Sequence, residues 1–357
     1  MDFCIEGFLG KQHSWSVVNQ HIARELIVEG HNVDLSSTNG DQFFLSDLVS
    51  NFRPLKSEYD CQISYTAMIN FPNYLSHGKR NRFGIWNYEF TKLPSGQAKF
   101  ASATDYFLPS SNFSYEIFAN NGVPEKKMKV VHHGINPKAF DVEPYKLNTR
   151  KSFKILANIA QPHTRKNLPG LLNAFGKAFS KKDDVCLVLK VVDKIPEKSF
   201  EVSFSKEYAI FNQKFPNHAE CLIIKSFIPN IESLYKSVDC VFTMTHAECF
   251  YLPGLEGLFA ENIVISPRYG GQLDYLSDDN SLLIDGKMIQ APPQAQYWEA
   301  SRGSEMFDPN IDDAVEKLQF AYSNSKQLKE KFTRNSESIL PNFTWKKVVG
   351  DIVQLIK

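Results

Sequence analysis

Residues 238–283 read VDCVFTMTHAECFYLPGLEGLFAENIVISPRYGGQLDYLSDDNSLL, and the hydrophobic pattern changes twice within them. Val241-Phe242-Thr243-Met244 is a short apolar run between Asp239 and Thr245, which suits a buried strand. Beyond Pro253 the pattern becomes helical: Leu255, Leu258 and Phe259 share one face, Pro253 stands in the first turn, and Asn262 ends the run. Ile263-Val264-Ile265-Ser266 then opens another strand. Strand, loop, helix and strand in this order specify a parallel α/β unit. Two carboxylates mark it, Glu248 in the loop after the first strand and Glu256 in the first helical turn.

That placement has chemical meaning. Open α/β sheets bind ligands beyond the carboxyl ends of their strands. A helix N-terminus presents free N–H groups and a positive dipole end, which suits phosphate. A carboxylate beside it makes strong, charge-assisted bonds to sugar hydroxyls. Two readings stand at this level. Either a nucleotide-sugar lies over the helix start with a carboxylate on each side, or Glu248 is solvated and Glu256 complements the helix dipole.

The stretch resembles the Glu-x7-Glu signature of retaining, GT-B fold glycosyltransferases of family 4. Glu248, Phe250, Leu252, Pro253 and Glu256 match it, followed by Ile263-Val264-Ile265, Gly270-Gly271 and Asp274. Cys249 and Tyr251 stand where that family has glycines. The resemblance implies an α/β GT-B architecture of two Rossmann-like domains whose parallel sheets face a central cleft. It also implies that Glu248 holds donor-sugar hydroxyls, that Glu256 holds the nucleotide ribose, and that Phe250, Tyr251 and Leu252 border the donor.

A length of 357 residues suits two domains rather than one core. Lys plus Arg equals Asp plus Glu, 40 each, so no global charge points to nucleic acid. None of the six cysteines forms a CxxC pair and most lie in strand-like runs, the usage of buried thiols in a cytoplasmic protein. No signal-peptide pattern opens the sequence, and no apolar run approaches the roughly 18 residues of a membrane span.

At the N-terminal end, Phe3-Cys4-Ile5 reads as a strand. The loop Gly7-Phe8-Leu9-Gly10 follows, then a helix carrying Val18, Ile22 and Leu26, then a strand over His31–Leu35. The opening is Rossmann-like without GxGxxG. Its loop is either an ordinary turn or, as the resemblance implies, one whose Gly7 and Gly10 face the donor. Cys61–Tyr65 and Arg82–Trp86 read as further strands. The basic run between them, Lys79–Arg82, is either a solvated loop or a contact for anionic lipid or glycan. After Trp86 many family members carry a histidine beside the reacting sugar; this chain has none there, and Glu89, with Asn87 behind it, is the nearest polar candidate. Asp105–Ser110 reads as a short strand running into a turn, Ser110 or Ser111 caps a helix, and Met128–Val131 reads as a strand. His132 and His133 point to opposite faces of an extended chain and have no third ligand at metal spacing.

The second domain starts near Ser152 with a strand over Phe153–Ala157. Arg165-Lys166-Asn167 lies at the end of that strand, just before a helix bearing Leu168, Leu171, Leu172 and Phe175. Cations placed there can hold charge that builds on a leaving diphosphate. The segment resembles the family's R-K-N element, whose lysine reaches the diphosphate, so the role falls to Lys166 with Arg165 beside it; the alternative is a solvated cation. Gln161 stands where many members have an arginine. Val185–Val192 and Leu222–Ile224 read as central strands, and the loop containing Ile228 is one that meets the nucleotide base in the family. Residues 285–308 are polar and too long for an ordinary connection, so they form a surface insertion or a functional loop. Asp308-Pro309-Asn310 starts a helix, and Thr344 caps a last one that crosses back to the first domain.

The expected organisation is therefore an acceptor-side domain, 1–148, completed by the helix of 342–357, and a donor domain, 149–341. The expected activity is transfer of a hexose from a nucleoside-diphosphate sugar to a hydroxyl of a glycan, glycolipid or similar acceptor, with retention. Glu248, Lys166 and Glu89 are expected at the reacting centre, with no cofactor and no metal, since the chain contains no Asp-x-Asp. The expected location is cytoplasmic, with peripheral membrane contact through Lys79–Arg82. Two rival readings are a GT-B nucleotide-sugar epimerase and a non-catalytic, nucleotide-binding scaffold subunit.

Overall fold

The computed structural model describes residues 1–10, 14–37, 46–77, 80–160, 164–191, 203–292 and 302–356. The chain divides into two compact units, Met1–Ile135 with Pro341–Lys357, and Asn136–Leu340. Residues 136–148 are tied to the second unit by Tyr145 N–H donating to Ser233 O and Lys236 Nζ donating to Phe140 O, both at 2.8 Å.

The first unit contains β1 (Asp2–Gly7), α1 (Ser14–Val28), β2 (Asn32–Ser37), β3 (Cys61–Tyr65), α2 (Phe71–Tyr74), β4 (Arg82–Ile85), β5 (Tyr106–Phe107) and α3 (Asn112–Asn120). The strands are parallel in the order β2-β1-β3-β4-β5. Val18, Ile22 and Leu26 of α1 are buried, as their spacing predicts. Ser111 caps α3, accepting from Ser114 N at 3.0 Å. Met128–Val131 is not a strand: it touches β5 through a single bridge, Phe107 to Met128. With a two-residue partner there is no ladder to extend.

The second unit contains β6 (Phe153–Ala160), α4 (Leu168–Ala178), β7 (Val185–Val191), α5 (Phe204–Lys214), β8 (Glu220–Ile224), α6 (Glu232–Tyr235), β9 (Cys240–Phe242), α7 (Leu252–Phe259), β10 (Ile263–Pro267), β11 (Leu282–Ile284), β12 (Gly286–Gln290), β13 (Glu305–Pro309), α8 (Ile311–Ser323) and α9 (Ser325–Ser336). Its main sheet is parallel in the order β11-β10-β9-β6-β7-β8. The chain runs outward from β6 through β7 to β8, then restarts at β9 and runs outward the other way. The switch point of the sheet is therefore the gap between β6 and β9, where such sheets bind ligands.

Side-chain alternation sorts the two faces. Phe153, Ile155, Ala157 and Ile159 of β6 and Val185, Leu187, Leu189 and Val191 of β7 join one core with α4, α8 and α9. Asn158 and Lys190, which are register partners, lie on the opposite face, where α7 packs through Gly257 against Val241 and Val264. The polar stretch read as an insertion contains an antiparallel ribbon, β12 with β13, whose mixed composition hid its pairing. Asn310 caps α8, accepting from Asp312 N at 2.8 Å.

The last helix, α10 (Trp345–Gln354), belongs to the first unit and is capped by Thr344. Ile135 bridges Thr344, and the Trp345 ring stacks on His21 with centroids 5.1 Å apart. Gly134 is required at this junction, because a Cβ there would lie 2.5 Å from Trp345 N.

Candidate active site

Two cations that follow one of the strands flanking the switch point converge on a carboxylate that follows the other. Arg165 and Lys166 follow β6, and Glu248 follows β9. Glu248 is 6% exposed. Its Oε2 accepts from Arg165 Nη1 at 3.0 Å and its Oε1 from Lys166 Nζ at 2.5 Å. The Thr245 hydroxyl lies 3.3 Å from Oε1, and Arg165 Nη1 also donates to Ala247 O at 3.0 Å. Burial alone would raise the Glu248 carboxyl, but the charges and hydrogen bonds of Lys166 and Arg165 outweigh it and hold the group below the usual carboxylate range. Two cations against one carboxylate leave the cluster with a net charge of +1.

The two loops are stitched together. Asn167, at a left-handed φ of 48°, caps α4 by accepting from Gly170 N at 3.0 Å and donates from Nδ2 to Met244 O at 2.9 Å. His246 N–H donates to Arg165 O at 2.8 Å. On the other side of that loop, Phe307 N–H donates to His246 O at 3.0 Å, and the His246 ring, 2.7 Å from Phe307 O, bonds it through Nδ1–H. The ribbon therefore buttresses the loop that carries Glu248. No local pattern signals this contact, because it joins residues 61 positions apart and relies on backbone groups.

Tyr251 takes φ +65° and ψ +63°, the left-handed conformation that glycine favours. Its ring packs against Gly254 and is 4% exposed, so the side chain belongs to the interior and only the backbone borders the start of α7. Tyr275 fixes this bend by donating toward Tyr251 O at 2.5 Å and Phe250 O at 3.0 Å. Phe250 is likewise buried, its ring 5.4 Å from that of Tyr275. Among the described residues no side chain caps α7, whose second residue is Pro253; Leu252 is half-buried at its start. Ile228 is buried in the loop after β8.

Glu256 does not join the Glu248 cluster. Its carboxyl meets the Tyr235 hydroxyl, which accepts from Asn158 Nδ2 at 3.1 Å. Burial raises the Glu256 carboxyl to about 7, Tyr235 opposes the shift, and Glu232 adds to it.

Gly7, Gly10 and Glu89 lie in the first unit. Gly7 ends β1, and a Cβ there would sit 2.9 Å from Tyr65 O, so strand spacing is enough to require it. Glu89 and Gly10 are half-buried. Asn87, two residues before Glu89, is held by Ser110 Oγ donating to its Oδ1 at 2.7 Å, and its Nδ2 lies 3.1 Å from His133 Nε2. Burial pushes the His133 imidazole down to about 3, so Nε2 accepts and the ring is neutral. Of the basic run, Lys79 lies outside the described residues, as does Gln161; Arg82 is engaged by Asp105 at 3.1 and 3.2 Å. No helix among the described residues is long and apolar enough to cross a membrane.

Two α/β units, each built on a parallel sheet, define the GT-B fold. The chain is similar over nearly its full length to several solved structures of that architecture. HepE from Anabaena, in complex with UDP and glucose, shares 14% identity over 99% of this chain and 98% of its own, with a TM-score of 0.68. A glycosyltransferase from Rickettsia africae shares 14% identity over 100% and 98%, TM-score 0.68. Sucrose-phosphate synthase from Thermosynechococcus elongatus shares 13% over 99% and 98%, TM-score 0.68. At these identities the likeness is one of fold. No protein-family model matches the sequence, and no curated protein matches it.

Proposed function

We propose that the chain is a glycosyltransferase that moves a hexose from a nucleoside-diphosphate sugar to a hydroxyl of a glycan, glycolipid or similar acceptor, with retention at the anomeric carbon and without a metal. The observation that carries this reading is the convergence of Arg165, Lys166 and Glu248 at the switch point of the second sheet. A net positive, largely desolvated cluster beside the start of α7 suits a diphosphate, and its cations do the work of a divalent ion as the sugar–phosphate bond breaks. Glu248 stays ionised, and its carboxylate has lone pairs beyond those that its two cations occupy, so it can accept from a donor-sugar hydroxyl. Glu256 faces the ribose, with the backbone at Ile228 near the base. The second unit is then the donor domain and the first the acceptor side, with Glu89 its candidate for the reacting centre. HepE in complex with UDP and with UDP-glucose supports a uridine donor for this fold. The six free cysteines support a reducing, cytoplasmic location.

The test is diphosphate release from UDP-, GDP- and ADP-sugars in EDTA, with Glu248→Ala and Lys166→Ala beside the wild type. Slow hydrolysis of one donor that both variants lose is the expected result. A wild type that neither hydrolyses nor binds any of the nucleotides overturns the reading. Binding without turnover in the presence of varied acceptors favours a scaffold.

A further inference from the structure

Lys190 stands one residue from the end of β7 and is 8% exposed. Among the described residues its ammonium has one hydrogen bond, a long one of 3.4 Å to Val191 O, and no carboxylate partner. Burial lowers its affinity for the proton, with no neighbouring charge among the described residues to offset this. An ammonium in that setting is a cost to the fold, since a buried charge is ordinarily paired. A ligand that supplies an acceptor accounts for keeping it.

Its place in the sheet says which part of the ligand that is. Lys190 is the register partner of Asn158, and Asn158 bonds Tyr235, which meets Glu256. The line from Glu256 through Tyr235 and Asn158 to Lys190 crosses one face of the sheet. Strands lie about 4.8 Å apart. In the order β9-β6-β7-β8, the Arg165–Glu248–Lys166 cluster sits over β9 and β6, and Lys190 sits one strand further toward β8. A nucleotide with its diphosphate on the cluster and its ribose at Glu256 carries its base toward β7, between Lys190 and the Ile228 loop that follows β8.

We propose that Lys190 reads the base, selecting one that has a carbonyl, as uracil does at C4 and guanine at C6, where cytosine and adenine carry an exocyclic amine. This rests on the nucleotide-sugar reading above and names what that site recognises. The reason is chemical: an ammonium has three donors and no acceptor, so it bonds a base carbonyl and leaves an exocyclic amine unpaired. Selectivity then lies in a side chain rather than in backbone contacts alone.

The experiment is calorimetric titration of the full chain with UDP, GDP, ADP and CDP, comparing the wild type with Lys190→Met and Lys190→Gln, each checked by thermal melting. The wild type is expected to prefer UDP or GDP. Lys190→Met loses affinity for the preferred nucleotide by roughly ten- to a hundredfold, the range of one hydrogen bond to a charged group, and changes little toward ADP and CDP. Lys190→Gln, which accepts as well as donates, binds ADP or CDP better than Lys190→Met does. Equal losses across all four nucleotides assign Lys190 to the phosphates and overturn the proposal while leaving the nucleotide site standing. Unchanged affinities, or a wild type that prefers ADP or CDP, overturn it as well. A wild type that binds none of the four overturns both this proposal and the reading beneath it.

Discussion

The ring of Tyr251 occupies the space that a side chain at position 254 would need: a Cβ on Gly254 would lie 2.6 Å from it. Tyr251 takes the left-handed backbone, and Gly254 makes room for its ring. Gly254→Ala should therefore destabilise the protein by about 1–3 kcal/mol through overpacking. In a Tyr251→Gly background the same change should become neutral or stabilising, since alanine outranks glycine in a helix by about 1 kcal/mol. Urea denaturation of the four-member cycle measures the change of sign; additive effects would show that the two residues do not compete for space.

Glu248 balances two cations, and Arg165 is nearly as buried as Glu248 itself. Glu248→Ala leaves an uncompensated buried guanidinium and should cost about 3–5 kcal/mol of stability. Lys166 is more exposed, so Lys166→Met should cost less stability than Arg165→Met. In the proposed reaction the Lys166 change should lower turnover of the preferred donor by about a hundred- to a thousandfold. Chemical denaturation beside steady-state kinetics separates the two effects.

Glu256 has its folded-state pKa raised to about 7 from 4.5, so the folded chain holds a proton between those values that the unfolded chain has released. Its contribution to stability is present below about pH 4.5 and is lost as pH rises through 7. Glu256→Gln lacks this dependence. It should match the wild type near pH 4 and exceed it at pH 8 by up to about 3 kcal/mol, because each pH unit between the unfolded and folded pKa values is worth about 1.36 kcal/mol. Melting temperatures taken across that range give the answer, and parallel curves would place the carboxyl in water.

At the junction of Gly134 with α10 the backbones touch. Gly134→Ala should force Thr344 and Trp345 apart and cost about 1–3 kcal/mol, with the Trp345 fluorescence shifting toward that of an exposed indole. A melt identical to that of the wild type would mean that the chain yields there without loss.

Much of the second unit is legible in its sequence. The strand, loop, helix and strand of residues 240–267 follow from periodicity and one proline, and so does the placing of Glu248, Arg165 and Lys166 at strand ends. What cannot be read is set by distant partners. That Arg165 and Lys166 share one carboxylate depends on the order β9-β6, which no local pattern encodes. β12 and β13 mix polar and apolar residues without a clean alternation and are recognisable only as a pair. α9 carries too few apolar residues to stand out beside its neighbours. Asn87 reads as a companion to Glu89, yet its amide is taken up by Ser110 and His133, the latter from 46 positions away.

The return of α10 to the first unit sets an order of events in synthesis. Between Ile135 and Pro341 the ribosome must add the 205 residues of 136–340. At about 5–20 residues per second this takes roughly 10–40 s. Throughout that interval the second unit is growing toward completion, while the older one still waits for the tryptophan that will cover His21 and seal the turn at Gly134. The first unit is thus begun before the second and completed after it, and it is the one a chaperone would have longest to hold.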